Sequence, residues 1–191
     1  RALLIEARCR TVTAAGGRRP LHLPHGFSPK PRFPRNRSRP QALNAFPRYL
    51  PGGLAFVDIE TTGGPAQRES ITEIGIVQVD EDCVREWSTL VRPESRIPDY
   101  IQRLTGIDDA MVADAPRFAD IADEIFDRLD GRLFVAHNAR FDHGHLRAAF
   151  RRAGLDMRPQ VLCTVKLSRR LFPDHRRHGL DHLIERHGLV V

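Results

Sequence analysis

The stretch "FVDIETTGG", residues 56–64, is predicted to form a strand, and it places two acids on one side of that strand. Side chains alternate between the two faces of a strand, so Asp58 and Glu60 point one way and the apolar residues beside them point the other. Their Cα atoms are about 6.6 Å apart at the rise of a strand. Two neighbouring negative charges on an apolar strand are unfavourable unless a positive partner lies between them. The stretch therefore predicts a central strand whose polar face borders a cation-binding cleft.

The composition is that of one globular domain, or of one domain plus a tail: 191 residues, 41% hydrophobic and 28% charged. No apolar run approaches the roughly 18 residues that a membrane helix needs, so no membrane partner is expected. The three cysteines (Cys9, Cys83 and Cys163) are odd in number and widely spaced. They predict reduced thiols in a cytoplasmic protein, without a disulfide or zinc framework.

Charge is distributed unevenly along the chain. Residues 1–50 contain 11 Lys and Arg residues, a single acid (Glu6) and half of the 14 prolines. Proline removes backbone donors and disfavours helix before it, so we expect a disordered basic tail at 1–50 and a folded domain at 51–191. Such a tail is either an arm that binds nucleic acid or a solvated extension. The second interpretation is favoured because the chain starts at Arg1 and not at a methionine.

The order of predicted elements indicates a mixed α/β sheet with helices packed on it. Strands are predicted at 54–60, 70–80 and 85–93, joined by short links as in an antiparallel meander, and again at 132–138 and 160–165. Helices are predicted at 116–131, 139–154, 166–172 and 179–188.

A third acid completes the candidate catalytic and metal-binding set. Asp142 opens a helix directly after the buried strand "LFVAHN", at the end where α/β sheets bind ligands. The turn "TTGG" after Glu60 lets the backbone approach a ligand closely. Three converging carboxylates favour Mg²⁺ or Mn²⁺ over zinc, and two such ions are the usual machinery for in-line displacement at phosphorus. We therefore expect two Mg²⁺ or Mn²⁺ ions on Asp58, Glu60 and Asp142, and a phosphodiester as the substrate.

Three motifs give the sequence a family resemblance: "FVDIETTG", "LTGI" (104–107) and "HNARFD" (137–142). They resemble the first motif, substrate loop and second motif of DEDD-type 3′→5′ exonucleases, histidine subgroup, and above all the epsilon proofreading subunit of bacterial DNA polymerase III. The resemblance covers about residues 54–191. It implies an RNase H-like fold in which a meander is followed by parallel strands, with helices on both faces, and a bacterial protein that acts in proofreading or repair.

The same resemblance implies metal-ligand roles for the three acids and a single-stranded or frayed DNA 3′ end as the substrate. It implies substrate contacts from the first turn, the substrate loop and the second motif: Thr61, Thr62, Gly63, Thr105, Gly106, Ile107, His137, Asn138 and Phe141. Asn138 is expected to support the second motif, and Phe141 is expected in the core beneath Asp142. A DNA polymerase subunit or an appended second nuclease domain is the expected partner.

One part of the family pattern is missing. The third motif of the histidine subgroup, H-x4-D, supplies the general base and a fourth carboxylate, and it follows a helix that resembles "LDHLIERHGL" (180–189). No H-x4-D follows here before Val191. We expect that the motif is lost by truncation, that no general base is present in this chain, and that the fragment is weak or inactive. The tyrosine subgroup is disfavoured because the only tyrosines are Tyr49 and Tyr100.

Other interpretations stay open at this point. The chain could be a non-catalytic exonuclease-like module that binds nucleic acid or a polymerase partner, or an RNA-directed 3′ exonuclease. Two basic stretches could contact a phosphate backbone or be plain surface: Arg147, Arg151 and Arg152, and Lys166, Arg169 and Arg170. The histidines at 143, 145, 178 and 182 are interpreted as solvated helix faces rather than as a zinc site, because a zinc helix wants a further ligand and a catalytic Glu.

Overall fold

The computed structural model of the chain describes residues 52–66, 70–80 and 83–190. The predicted tail at 1–50 lies outside these residues, so that expectation stays a prediction. A five-stranded sheet has the order β3-β2-β1-β4-β5. Its strands are β1 (Leu54–Thr61), β2 (Ile71–Val79), β3 (Val84–Leu90), β4 (Leu133–Ala136) and β5 (Val161–Cys163). The first three are antiparallel, and β4 and β5 continue the sheet in parallel from β1. The predicted mixed α/β sheet is confirmed, with β1 at its centre.

The two faces of β1 follow from its alternating sequence. Ala55, Val57 and Ile59 are buried, whereas Phe56 and Asp58 lie on the opposite face, where they keep solvent-exposed surface although the protein partly encloses the Asp58 carboxyl. The buried residues belong to one apolar cluster with Ile74 and other residues of β2. The acids of β1 therefore lie on the face that the main core leaves open.

Two helices form the layer on the core face. They are α3 (Phe118–Leu129) and α4 (Arg140–Arg152). Phe150 of α4 makes edge-to-face contacts with Phe118 and Phe126 of α3, with ring centroids 5.2 and 5.9 Å apart. Such aromatic pairs add about 0.5–1.5 kcal/mol beyond the area that they bury. The pairing fixes α4 on the sheet and thereby fixes the start of α4, where Asp142 lies.

Two short helices between β3 and α3 were not predicted from the sequence. They are α1 (Asp99–Thr105) and α2 (Asp109–Val112), and they enclose a second apolar cluster of Ile97, Ile101, Ile107 and Val112. The Asp109 carboxylate accepts the N–H of Ile97 at 2.9 Å, and Gly106 ends α1 with a left-handed φ of 77°. Helices of one or two turns are marginal by themselves, so their sequence periodicity is too short to detect.

The last two helices, α5 (Thr164–Leu171) and α6 (Leu180–His187), pack less deeply than α3 and α4. Ser168 is the buried residue of α5, and α6 has none. None of the helices in the described part of the chain combines the length and the apolarity that crossing a bilayer requires.

Candidate active site

The strand register gathers three acids on the open face of the sheet. Glu60 of β1 is paired directly with Glu73 of β2, and Asp58 is paired with Gly75, which adds no side chain. Directly opposite residues have Cβ atoms about 4.5–5.5 Å apart, and like charges in this position are destabilising. Burial, and then the charges of Asp58 and Glu73, raise the pKa of Glu60. The pKa of Glu73 is raised in turn by its own burial and by Asp58.

Glu73 is the acid that the sequence analysis missed. The alternation in "ITEIGIVQV" puts it on the polar face of its strand, but only the pairing register shows which residue of β1 it faces. A signal was present, because an acid on a half-buried strand two residues before a glycine has no packing reason to be there. The sequence alone could not connect it to Glu60.

Asp142 joins these acids from the first turn of α4. Strand β4, the parallel neighbour of β1, ends early: pairing between β1 and β4 stops at Phe56 and Val135. The N–H of Ile59 lies beyond that point and faces the Asp142 carboxylate, where it lowers the pKa of the acid. Burial outweighs this help, and with the charges of Asp58 and Glu60 it raises the pKa of Asp142 to about 7. The three acids predicted from the sequence therefore come together, and Asp142, with 3% of its surface exposed, is the most deeply buried of them.

His137 borders the same acids. Its Nδ1 is 2.9 Å from Oγ1 of Thr164, the first residue of α5. Burial lowers the pKa of His137, and the negative charge of Asp58 works against that shift. Burial also raises the pKa of Asp58, and His137 opposes the rise. The imidazole is therefore hydrogen-bonded to the start of α5 and lies close enough to Asp58 for the two charges to interact.

These side chains do not form a closed ligand shell as they stand. In residues 52–66, 70–80 and 83–190, no three carboxylate, imidazole or thiol groups converge on one point as metal ligands. Like charges favour rotamers that separate them. The backbone places Asp58 and Glu60 on one face of β1, and Asp142 lies close enough to both for their charges to raise its pKa.

The turn after β1 uses its threonines internally. Oγ1 of Thr61 accepts the N–H of Gly63 at 3.1 Å, and Oγ1 of Thr62 accepts the N–H of Ser70 at the same distance. Gly63 has a φ of 88°, and a Cβ there would lie 2.8 Å from Cδ1 of Ile101 and 3.0 Å from Oη of Tyr100. The turn is therefore a seat for α1 beside the acids. Thr61 and Thr62 are buried and brace this turn, so their hydroxyls face the protein and not the open face.

The predicted substrate loop "LTGI" is in fact the end of α1. Oγ1 of Thr105 donates to the carbonyl of Ile101 at 3.0 Å and accepts the N–H of Ile107 at 3.2 Å. Ile107 is buried in the second cluster. The exposed apolar side chains of this helix are instead Tyr100 and Leu104, which are 60% and 77% exposed. Gly106 is exposed as well.

In the second motif, the predicted placement of Phe141 is wrong. Phe141 does not lie in the core beneath Asp142: it is 39% exposed, and its ring lies against His145 at 4.3 Å. Successive residues are rotated by about 100° around a helix, so when Asp142 points inward its neighbour points sideways. Asn138 has a left-handed φ of 67°, and its carbonyl accepts the N–H of Phe141 at 2.9 Å. The backbone of Asn138 thus starts the turn that leads into α4.

Two histidines predicted on solvated faces are buried. His145 donates from Nδ1 to the carbonyl of Phe141 at 2.9 Å. His178 donates from Nε2 to the carbonyl of His175 at 2.8 Å, and its Nδ1 is 2.9 Å from Oγ of Ser168. Both ring nitrogens of His178 are therefore engaged in hydrogen bonds within the protein. The solvated-face interpretation is wrong for both residues: His145 lies on the buried side of α4, and His178 precedes α6 and points toward Ser168 of α5.

Comparison with known proteins links this geometry to nucleases. The family described as Exonuclease (RNase_T) matches residues 55–191. Curated relatives named 3′-5′ exonuclease DinG match 139 residues, or 72% of this chain, at 35% identity in Staphylococcus saprophyticus and 34% in Staphylococcus aureus strain MRSA252. The chain spans only 15–16% of the length of these relatives.

Solved structures give the same picture. Exonuclease X in complex with 5′ overhanging duplex DNA is 32% identical, with a TM-score of 0.58 over 72% of this chain and 75% of that one. Exonuclease I of E. coli in complex with a dT13 oligonucleotide is 18% identical, with a TM-score of 0.60 over 69% of this chain and 35% of that one. At the second identity the likeness concerns the fold alone.

Proposed function

Because the chain belongs to the exonuclease family, we propose that the acids of β1 and α4 form a metal-dependent site that hydrolyses the terminal phosphodiester at a DNA 3′ end. The observation that carries this proposal is the buried Asp142 beside Asp58 and Glu60, within the stretch that matches the family. Burying a carboxylate without a positive partner is costly, and a fold keeps such a group where a function needs it. Membership of the histidine subgroup and a role in proofreading or repair are part of the same proposal.

The donor set fits Mg²⁺ or Mn²⁺. Asp58, Glu60 and Asp142 offer carboxylate oxygens only, which hard divalent cations prefer. Within the described residues these three acids have no ion pair with Lys or Arg. Divalent ions bound there would activate a water as the nucleophile and stabilise the charge on the phosphate and the leaving oxygen.

The other residues of the site hold and orient this acid set. The N–H of Ile59 donates to the Asp142 carboxylate and orients it. Asp142 is buried, so little water reaches this carboxylate. His137 carries a ring that is attracted to Asp58 and is tied to α5 through Thr164. Glu73 adds a fourth negative charge beside Glu60, which strengthens attraction for cations. The turn at Gly63 and helix α1 form one wall of the site.

The proposed substrate class comes from the relatives. Exonuclease X, which is 32% identical to this chain, was solved with overhanging duplex DNA. We therefore propose a single-stranded or frayed DNA 3′ end for this chain. Hydrolysis of RNA ends is the second candidate from the sequence, and no residue at the described site singles out a 2′-hydroxyl.

The test follows the polarity of the products. Oligothymidylate labelled at its 5′ end is incubated with the chain in Mn²⁺, with Asp142→Asn as the blank and a matching ribo-oligonucleotide as the second substrate. A ladder that shortens slowly from the 3′ end by single nucleotides is the expected result, because residues 1–191 do not contain the third motif that would supply the general base. Internal cuts, or the same ladder from Asp142→Asn, would contradict the proposed site. Binding without a ladder would favour the non-catalytic module.

A further inference from the structure

We propose that the exposed cations of α5, Lys166, Arg169 and Arg170, bind the phosphate backbone of the DNA strand whose 3′ end enters the site. This inference rests on the proposed function and adds to it the path of the strand beyond the terminal nucleotide.

The charge of the domain is divided along the chain. Residues 52–131 contain 7 basic and 18 acidic residues, whereas residues 132–190 contain 12 basic and 5 acidic residues. The site acids Asp58 and Glu60 belong to the first half, and α5 belongs to the second. A strand of phosphates is repelled by the first half and attracted by the second. The charge division alone therefore directs a bound strand from the acids toward the basic half.

Helix α5 starts beside the site. Thr164, its first residue, contacts His137, which borders Asp58. A helix rises 1.5 Å per residue, so Lys166 is about 3 Å and Arg170 about 9 Å further along the axis. Ser168 is buried and bonded to His178, which fixes the other side of the helix. The cations are thus carried by a helix that is held at its first residue and near its middle.

The cations of α5 are exposed and lack acidic neighbours along the chain. Lys166, Arg169 and Arg170 are all exposed, and residues 157–173 contain no Asp or Glu. Elsewhere in the described chain several arginines are neutralised by carboxylates, as in Arg128–Glu124, Arg132–Asp80 and Arg158–Asp156. No such ion pair forms on α5 in the described residues. Unneutralised cations in a row are what a backbone-binding surface requires.

Exposed apolar side chains lie among these cations. Leu167 and Leu171 are 37% and 59% exposed on the same helix, one turn apart. Surfaces that bind single strands combine cations for the backbone with apolar or aromatic side chains for sugars and bases. An acidic peptide could also contact such a surface, but the strand is favoured because α5 begins at the site where its 3′ end is expected.

The experiment compares two variants that remove the same charge. The test variant is Lys166→Gln/Arg169→Gln/Arg170→Gln. The control is Arg147→Gln/Arg151→Gln/Arg158→Gln, three exposed arginines whose charges act together on Asp156 beyond the end of α4. Both are made in the full chain carrying Asp142→Asn, so that the oligonucleotide is not consumed. Binding of fluorescent oligothymidylate is measured as a function of salt, and thermal unfolding checks that each variant folds.

The test variant should lower the slope of log Kd against log salt by about 2, since each phosphate contact with a single strand contributes about 0.7. The control should change it by less than half as much. Equal slopes for the two variants would overturn the proposal. It would also be overturned if the test variant bound oligothymidylate as the control does but no longer bound an acidic peptide used as a second probe. Hydrolysis of the p-nitrophenyl ester of thymidine 5′-monophosphate by the wild-type chain is measured separately, because it needs the acids but no strand. Failure there would count against the proposed function and not against the α5 surface.

Discussion

The two halves of the domain solve opposite electrostatic problems. In residues 52–131 acids outnumber bases, and several bases there are paired with carboxylates, as in Arg85–Asp80 and Arg96–Asp109. In residues 132–190 bases outnumber acids, yet Asp142 is buried in that half. The candidate site lies where the open acidic face of the first half receives this one acid from the second.

Because acids and bases are concentrated in different halves, one small domain can attract both a cation and a polyanion. Acids gathered by the register of β1 and β2 favour a divalent cation, and they repel phosphates unless the cation is bound. The cations of α5 are proposed to attract the phosphates, and the first residue of that helix contacts His137.

The largest expected effect is on catalysis. Asp142→Asn and Asp58→Asn should each lower the rate of 3′-end release from oligothymidylate by about 10³-fold or more, because a lost ligand removes several kcal/mol of transition-state stabilisation. Asp123→Asn, an exposed acid of α3 in the same acidic half, is the matched control and should stay within about twofold. A comparable loss in the control would mean that overall charge, and not the site, governs the rate.

Asp142→Asn should lower activity but raise the free energy of unfolding at neutral and alkaline pH. The pKa of Asp142 is raised from 3.8 to about 7, so the folded state holds this proton more tightly than the unfolded chain does. The free energy of unfolding therefore falls as pH rises from about 4 to about 7, and the loss is complete above that range. Asp142→Asn cannot titrate, and at pH 8 in EDTA it should be more stable than wild type by about 2–4 kcal/mol. Urea unfolding at pH 4 and pH 8 measures this, and a variant less stable at pH 8 would contradict it.

The turn that seats α1 should be sensitive to one methyl group. Gly63→Ala introduces a Cβ within 3.0 Å of both Ile101 and Tyr100 at a left-handed φ, so it should cost about 2–3 kcal/mol and lower activity. Gly131→Ala is the matched control, because Gly131 also has a positive φ but no atom lies within 4 Å of the new Cβ. Its cost should be about 1 kcal/mol. Equal losses in thermal unfolding would show that backbone conformation alone matters at Gly63.

The smallest effect belongs to Phe141. An exposed phenylalanine should cost less than about 1 kcal/mol when changed to alanine, whereas a core phenylalanine costs about 3–5 kcal/mol. Phe150→Ala supplies the core reference in the same helix, since Phe150 is fully buried. Chemical denaturation of both variants separates the two placements. A large loss for Phe141→Ala would restore the placement predicted from the sequence.

The sequence predicted what rests on local periodicity and missed what rests on pairing. The alternation around Asp58 and the strand-to-helix step before Asp142 are local, and both were correctly anticipated, as was the mixed sheet. Glu73 required the register of β2 against β1, which no local pattern contains. Helices α1 and α2 are too short to show a helical period, so the sequence predicts a loop at the residues where α1 ends. Phe141 was misplaced because a motif does not say which way each of its side chains points.

Joint binding of divalent cations by Asp58, Glu60 and Asp142 is measured by thermal unfolding with and without millimolar Mn²⁺. Wild type should gain about 2.7 kcal/mol when Mn²⁺ is at 100 times its Kd, which raises the midpoint by about 5–10 °C. Asp58→Ala should lose most of this shift, and Asp123→Ala should keep it. A shift of the same size in Asp58→Ala and wild type would contradict the assignment of the site.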